Sequence, residues 1–118
     1  MTSHRILLVA GTLLVASVIP ASGHSLLLES SPAAGAVLAA PAEVRLRFNG
    51  RVEKRLSRLA LVDERGAARV LAPDPAGPPD RLVAALPALS PGRYRLEWHV
   101  LSTDGHVVSG GFGFRVAP

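Results

Sequence analysis

The segment 93–100 alternates polar and apolar side chains without interruption, and this alternation constrains the fold more than any other feature of the sequence. Because successive side chains of an extended strand point to opposite faces, the pattern predicts a β-strand with one buried face. The inward face carries Tyr94, Leu96, Trp98 and Val100, and the outward face carries Arg93, Arg95, Glu97 and His99. We interpret the aromatic side chains as core residues and not as a ligand-binding face.

Shorter segments with the same period occur along the chain and are separated by turn residues. The other predicted strands are 25–29, 43–48, 59–63, 68–71, 81–86 and 112–116. Asn49-Gly50, 63–66 and 90–92 are typical of turns, and the prolines in 73–80 indicate a loop. About seven short strands with almost no helical period predict an all-β antiparallel sandwich.

The first 23 residues have the three-part layout of a secretory signal peptide. Arg5 precedes an apolar run over 6–19, and Pro20 and the small residues Ala21 and Gly23 follow it. The run is shorter than the roughly 18 residues expected of a membrane-spanning helix. We therefore predict a signal peptide over 1–23, one domain over 24–118, a periplasmic or extracellular location and no membrane anchor in the mature chain.

The composition excludes several classes of function. The chain has no cysteine, which excludes disulfides, thiolate metal sites and a lipid-modified cysteine. The formal net charge is +4, the basic residues are nearly all arginine and spread along the strands, and aromatic residues are 4% of the chain. Nucleic-acid binding therefore has little support. We expect a monomer.

Cleavage after Gly23 would leave His24 as the first residue of the mature protein. Its α-amine and imidazole would then close a chelate ring on one metal ion, which an internal histidine cannot do. Asp104 and His106 stand at i and i+2, and side chains at that spacing of an extended segment reach the same side. Together these residues offer three nitrogens and one carboxylate oxygen without sulfur, a set that suits tetragonal Cu(II) better than Cu(I).

Two plainer interpretations stay open at this point. The cleavage site can lie a residue or two away from Gly23, and Asp104-Gly105 is also a common hairpin turn. His99 is a further ligand candidate or a solvated surface histidine. Ser102, Thr103 and Ser109 are candidates to orient a ligand by hydrogen bonding.

Four segments resemble the CopC-type periplasmic copper-resistance domain. These are HSLLLESSPAAGA at 24–36, VRLRF at 44–48, PGRYRLEW at 91–98 and VLSTDGHVVSGGFGF at 100–114. The resemblance covers essentially all of 24–118. It implies a seven-stranded antiparallel Greek-key β-sandwich with cupredoxin-like topology. It also implies one Cu(II) per chain, held by the amine and imidazole of His24 together with Asp104 and His106.

The chain departs from this family in two places. Many relatives have an acidic residue at the position of Gly50, and whether Glu53 substitutes for it is left open. Some relatives carry a methionine-rich loop for Cu(I), whereas the only methionine here is Met1. We therefore expect a single-site Cu(II) binder.

Three classes of function remain. The leading hypothesis is a non-enzymatic copper-binding protein of the cell envelope, acting in copper resistance, in buffering or in delivery to a separate membrane copper importer. The second is a copper-dependent oxygenase that uses an N-terminal histidine brace. The third is an immunoglobulin-like accessory module without metal, in which Asp104-Gly105-His106 is only a turn.

Overall fold

Strands dominate residues 26–118, the part of the chain that a computed structural model describes. The predicted signal peptide and His24 lie outside these described residues. A single 3-10 turn spans Lys54–Leu56. The strands are β1 Leu27–Ser31, β2 Val37–Leu38, β3 Glu43–Phe48, β4 Arg58–Asp63, β5 Ala68–Leu71, β6 Arg81–Ala85, β7 Gly92–Leu101 and β8 Val107–Val116.

The strands form two sheets, in the orders β1-β3-β6 and β2-β8-β7-β4-β5. All pairs are antiparallel except β2 with β8. The chain crosses repeatedly between the sheets, as in Greek-key sandwiches, and the predicted all-β sandwich is confirmed. The extra strand β2 has two residues, too few to show a period. No helix within 26–118 is long and apolar enough to cross a bilayer.

The core forms where the inward faces of the two sheets meet. On β7, Leu96 and Val100 are fully buried and Trp98 is 8% exposed, so the predicted alternation is confirmed. Trp98 lies opposite Gly110 on β8, and its ring centroid is 5.9 Å from that of Phe112. A Cβ atom on Gly110 would lie 2.4 Å from the Trp98 ring, so this glycine leaves the space that the indole fills.

A tyrosine corner fixes the start of β7. The Tyr94 hydroxyl donates a hydrogen bond of 2.6 Å to the carbonyl oxygen of Ser90. The Tyr94 ring also stacks on Phe114, with centroids 5.7 Å apart. This bond from a strand tyrosine back to the preceding loop is a recurrent feature of Greek-key sandwiches.

The other end of β7 is held by the connection between β3 and β4. Val52 forms an isolated bridge with Ser102, and the Glu53 N–H donates to the Leu101 carbonyl oxygen at 2.9 Å. The hydroxyl of Ser57, which is 5% exposed, accepts from the Leu101 N–H at 3.2 Å. The residues between β3 and β4 therefore lie along the end of β7, beside the turn that follows it.

Replacing Gly110 with alanine tests the contact with Trp98. Because the added methyl would overlap the indole, we expect Gly110→Ala to lower the free energy of unfolding by about 1–3 kcal/mol in urea denaturation. Gly113→Ala is the matched control on the same strand, since its Cβ would meet the Tyr94 carbonyl oxygen at an ordinary 3.5 Å. Equal stability losses in the two variants would contradict the tight packing of Trp98.

Candidate metal centre

A tight turn over residues 102–106 joins β7 to β8. The Ser102 N–H donates to the His106 carbonyl oxygen at 2.9 Å, and the Gly105 N–H donates to the Ser102 carbonyl oxygen at 3.0 Å. Gly105 has φ +89°, in the region that favours glycine. The turn thus closes the long hairpin and carries two of the predicted ligands at its tip.

The side chains of Asp104 and His106 meet at this tip. His106 Nδ1 lies 3.1 Å from Asp104 Oδ2, and the side chains are 61% and 36% exposed respectively. The predicted proximity of the two residues is therefore present. The expected extended segment is wrong, because residues 103–105 form a turn and bend. The turn brings the side chains together instead, and it leaves both accessible to solvent.

Hydrogen bonds hold the Asp104 carboxylate in its charged form. The Ser102 hydroxyl lies against Asp104 Oδ1, and the His106 backbone N–H is 3.3 Å from the same oxygen. These contacts, the Ser102 hydroxyl first and the His106 side chain second, lower the pKa of Asp104 to about 2. Ser102 is 3% exposed, so the group that orients the carboxylate is fixed in the protein interior.

The separation of the two donor atoms fits a metal ion. Two ligands in adjacent positions of a square plane, each about 2.0–2.1 Å from the ion, lie about 2.9 Å apart. Asp104 Oδ2 and His106 Nδ1 are 3.1 Å apart. A divalent ion beside these two atoms can therefore bind both with little movement of either side chain. Oxygen and imidazole donors suit Cu(II) and Zn(II).

The described residues supply only part of a coordination sphere. Within 26–118, no group of three or more His, Cys, Asp or Glu side chains is placed to hold a metal ion. His24, the further ligand predicted from the sequence, lies outside this range. Residues 26–118 do not place His24, and its role stays a prediction.

The first described residue, Leu26, is hydrogen-bonded to the residue that directly follows β3. Asn49 Oδ1 accepts from the Leu26 N–H at 2.8 Å, and the Asn49 N–H donates to the Leu26 carbonyl oxygen at 2.9 Å. Both the N–H and the carbonyl oxygen of Leu26 are thus hydrogen-bonded to Asn49, which directly follows β3. No local pattern in the sequence marks this contact of Asn49, because it joins positions 23 residues apart.

His99 lies on the outer face of β7, where it is exposed as expected of a surface histidine. Its Nδ1 is 2.7 Å from the Ser109 hydroxyl, and its strand neighbours are Arg58 and Ser109. Ser109 therefore contacts His99. Of the serines proposed to orient a ligand, Ser102 is the one that bonds to Asp104.

Gly50 and Glu53 follow β3, and both are exposed. A Cβ atom on Gly50 would meet nothing within 4 Å, so packing does not explain the missing acidic residue. The Glu53 backbone is bonded to Leu101, close to the turn. Its carboxylate does not join Asp104 and His106 in a three-residue metal cluster within the described part of the chain.

The fold and this turn define a Greek-key β-sandwich with an exposed carboxylate and imidazole at one end. A sequence model of the CopC domain matches residues 27–117. Copper resistance protein C of Pseudomonas syringae pv. tomato is 32% identical, over 98% of this chain and 95% of that protein. Protein YobA of Escherichia coli K12 is 33% identical, over 79% of this chain and 78% of that protein. The chain belongs to the CopC family of copper-resistance proteins.

Solved structures agree with this membership. The crystal structure of CopC from Methylosinus trichosporium OB3b has a TM-score of 0.77 and 37% identity, covering 80% of this chain and 95% of that one. PcoC of Escherichia coli, described as a methionine-rich copper resistance protein, has a TM-score of 0.67 and 27% identity, covering 79% and 98%. The resemblance seen in the sequence is thereby confirmed at the level of family and fold.

The Ser102 hydroxyl should control the acidity of the site. In the metal-free protein, Ser102→Ala should raise the pKa of Asp104 from about 2 toward its ordinary value, measured by NMR titration of the side-chain carboxyl carbon. A carboxyl with a lowered pKa stabilises the fold above its ordinary pKa near 3.9 and loses that contribution as pH falls toward about 2. The variant should accordingly lose less stability over this range.

Thr103→Ala is the control for this measurement, since Thr103 is an exposed residue of the same turn. It should leave the pKa of Asp104 where it is. An unchanged pKa in Ser102→Ala would show that another contact sets the acidity of Asp104.

Proposed function

We propose that the exported chain binds one Cu(II) per molecule through the α-amine and imidazole of His24, the Asp104 carboxylate and the His106 imidazole. It acts in the cell envelope in copper resistance, by buffering Cu(II) or by delivering it to a separate membrane importer. The observation that carries the proposal is the convergence of Asp104 Oδ2 and His106 Nδ1 at 3.1 Å on an exposed turn. Membership of the CopC family supports copper as the metal.

The path of the chain supports the participation of His24. Leu26 is bonded to Asn49, and the nearby Val52 bridges Ser102 at the base of the metal-binding turn. His24 stands two residues before Leu26, and two extended residues reach about 7 Å. The N-terminal segment therefore starts from the same end of the sandwich as Asp104 and His106.

The donor set favours Cu(II) over Cu(I). The residues after the predicted signal peptide contain neither cysteine nor methionine, so no sulfur is offered to a soft ion. PcoC, in contrast, is described as methionine-rich. Reduction of the bound ion should weaken its binding, which provides a route for release to a partner.

We further propose that the chain carries copper and does not catalyse oxygenation. Oxygen activation needs an open equatorial position beside the metal, and in this arrangement the Asp104 carboxylate would fill it. The hydrogen bond from the buried Ser102 holds that carboxylate in its deprotonated, metal-binding form. A site with four protein donors suits storage and transfer of the ion.

Substitution of each ligand tests the site. Loss of a hydrogen bond to a metal ligand costs about 10–100-fold in metal affinity. Loss of the ligand itself should cost more, so His106→Ala and Asp104→Ala should each weaken Cu(II) binding by about 100-fold or more. The histidine change should have the larger effect. One extra residue before His24 should act similarly, because the amine and imidazole then no longer chelate together. Competition titration with a Cu(II) chelator measures these affinities.

His99→Ala is the matched control, and it should retain the Cu(II) affinity of the parent protein. Circular dichroism should show that every variant keeps its sheets, because the core does not include the turn. Unchanged Cu(II) affinity in His106→Ala, or in the chain extended before His24, would overturn the proposed ligand set.

Asn49 provides a second test, because it holds the segment that carries His24. Asn49→Ala removes the acceptor for the Leu26 N–H and should weaken Cu(II) binding by roughly tenfold, whereas Asn49→Asp keeps an acceptor oxygen and should retain the affinity. In a His24→Ala background, Asn49→Ala should have no further effect. Additive losses in the double variant would contradict positioning of His24 by Asn49.

A further inference from the structure

The basic residues are spread along the chain, but most of the net positive charge comes from one short segment beside the proposed metal-binding turn. Residues 51–58 carry Arg51, Lys54, Arg55 and Arg58, with Glu53 as the only acidic residue. The formal net charge of the entire chain is +4, so an excess of three in these residues accounts for most of it. We call residues 51–58 the basic edge.

The cations of the basic edge have no carboxylate partners within the described residues. The ion pairs there involve Arg45, Arg47, Arg81, Arg95 and His106. Lys54 Nζ instead donates to the carbonyl oxygens of Ala76 and Gly77, at 2.8 and 3.2 Å. Residues 1–25 contain no Asp or Glu that could supply a partner.

Backbone contacts place the basic edge next to the proposed copper ligands. Its residue Val52 bridges Ser102, and its residue Glu53 donates to Leu101. Arg58 is the cross-strand neighbour of His99 near the end of β7. Residues 51–58 therefore border the end of the sandwich at which Asp104 and His106 lie.

Copper binding does not explain this arrangement. Cationic side chains near a Cu(II) site repel the ion, and like charges that are not otherwise paired lower its affinity. A segment that served only to capture Cu(II) would carry acidic residues. The basic edge therefore fits an anionic partner brought close to the same end of the molecule.

Exposed apolar side chains accompany these cations. Leu56, within the basic edge, is 67% exposed, and Val107, directly after His106, is 66% exposed. Leu101 pairs with Val107 across the hairpin and accepts the Glu53 N–H, so both apolar residues belong to this end of the sandwich. Cations around exposed apolar side chains are typical of surfaces that enter the headgroup region of anionic membranes.

We propose that the basic edge docks the protein on an anionic phospholipid surface, with the 102–106 turn facing the membrane. Arg51, Arg55 and Arg58 contact lipid phosphates, and Leu56 and Val107 enter the boundary of the acyl chains. The apolar pair favours a lipid surface over an acidic protein, since a carboxylate-rich partner would leave both side chains in a polar contact.

Docking and copper loading should reinforce each other. Lipid phosphates neutralise the cations that repel Cu(II), and bound Cu(II) adds positive charge on the side that faces the membrane. Linkage then requires the copper-loaded protein to bind the membrane more tightly than the metal-free protein does. This step rests on the proposed function, whereas docking of the metal-free protein does not.

Vesicle sedimentation of the processed, metal-free protein tests the proposal. It should bind phosphatidylglycerol vesicles at low salt, lose binding as salt rises, and bind phosphatidylcholine vesicles far less. Arg51→Gln/Arg55→Gln/Arg58→Gln should reduce partitioning roughly 100-fold, because each of the three cations contributes about a factor of five near an anionic surface. Leu56→Ser should reduce it severalfold.

The control variant is Arg65→Gln/Arg93→Gln/Arg115→Gln. It removes the same charge at the opposite end of the five-stranded sheet, where Arg93 pairs with Arg115 and Asp63 with Tyr94. This variant should keep most of the binding. Equal losses in the two triple variants would overturn a localised docking surface and indicate an effect of net charge alone.

Two further outcomes complete the test. Absence of binding to phosphatidylglycerol, with retention on immobilised polyglutamate, would overturn the lipid proposal in favour of an acidic protein partner. Addition of Cu(II) should raise vesicle binding severalfold, and a fall would overturn the coupling. If the protein binds no copper, the metal-free measurements still decide the docking surface, so failure of the proposed function is distinguishable from failure of this inference.

Discussion

The pairing of β7 with β8 is the interaction on which the rest of the structure depends. Both strands have ten residues, and they pair in continuous register from Gly92↔Val116 to Leu101↔Val107. One face of this hairpin buries Trp98 against Gly110, and the tight turn that closes it carries Asp104 and His106. The core and the candidate metal centre therefore both depend on this register, because a slip by one residue would move every side chain of the strand to the other face.

The position of Ser102 explains how an exposed turn can hold a defined ligand geometry. Ser102 is buried at the base of the turn and is bridged by Val52, while its hydroxyl bonds to the exposed Asp104 carboxylate. The orientation of a solvent-facing ligand is thus determined by a group that cannot move freely. The centre should keep this geometry without metal, unlike small zinc domains that fold only when the ion binds.

Two opposing charge arrangements meet at this end of the sandwich. Hydrogen bonds hold the carboxylate of Asp104, a proposed copper ligand, in its charged form, whereas the basic edge nearby carries cations without carboxylate partners among the described residues. If the proposed ligands bind Cu(II), cations nearby lower the affinity for the ion. Their presence therefore fits the proposal that an anionic partner contacts the basic edge.

The sequence by itself determined the sandwich class, most of the strands and the core, because a period of two and turn residues are local signals that a single chain displays. It did not show the two-residue β2 or the first half of β8. It also marked Asp104 and His106 through their spacing, and the family through longer strings of residues. Only the tertiary structure decided that these side chains meet across a turn and not along a strand. It likewise decided that Asn49 holds Leu26 and that residues 51–58 border the 102–106 turn. These relations join positions distant in sequence, and such contacts are set by how the sheets pack.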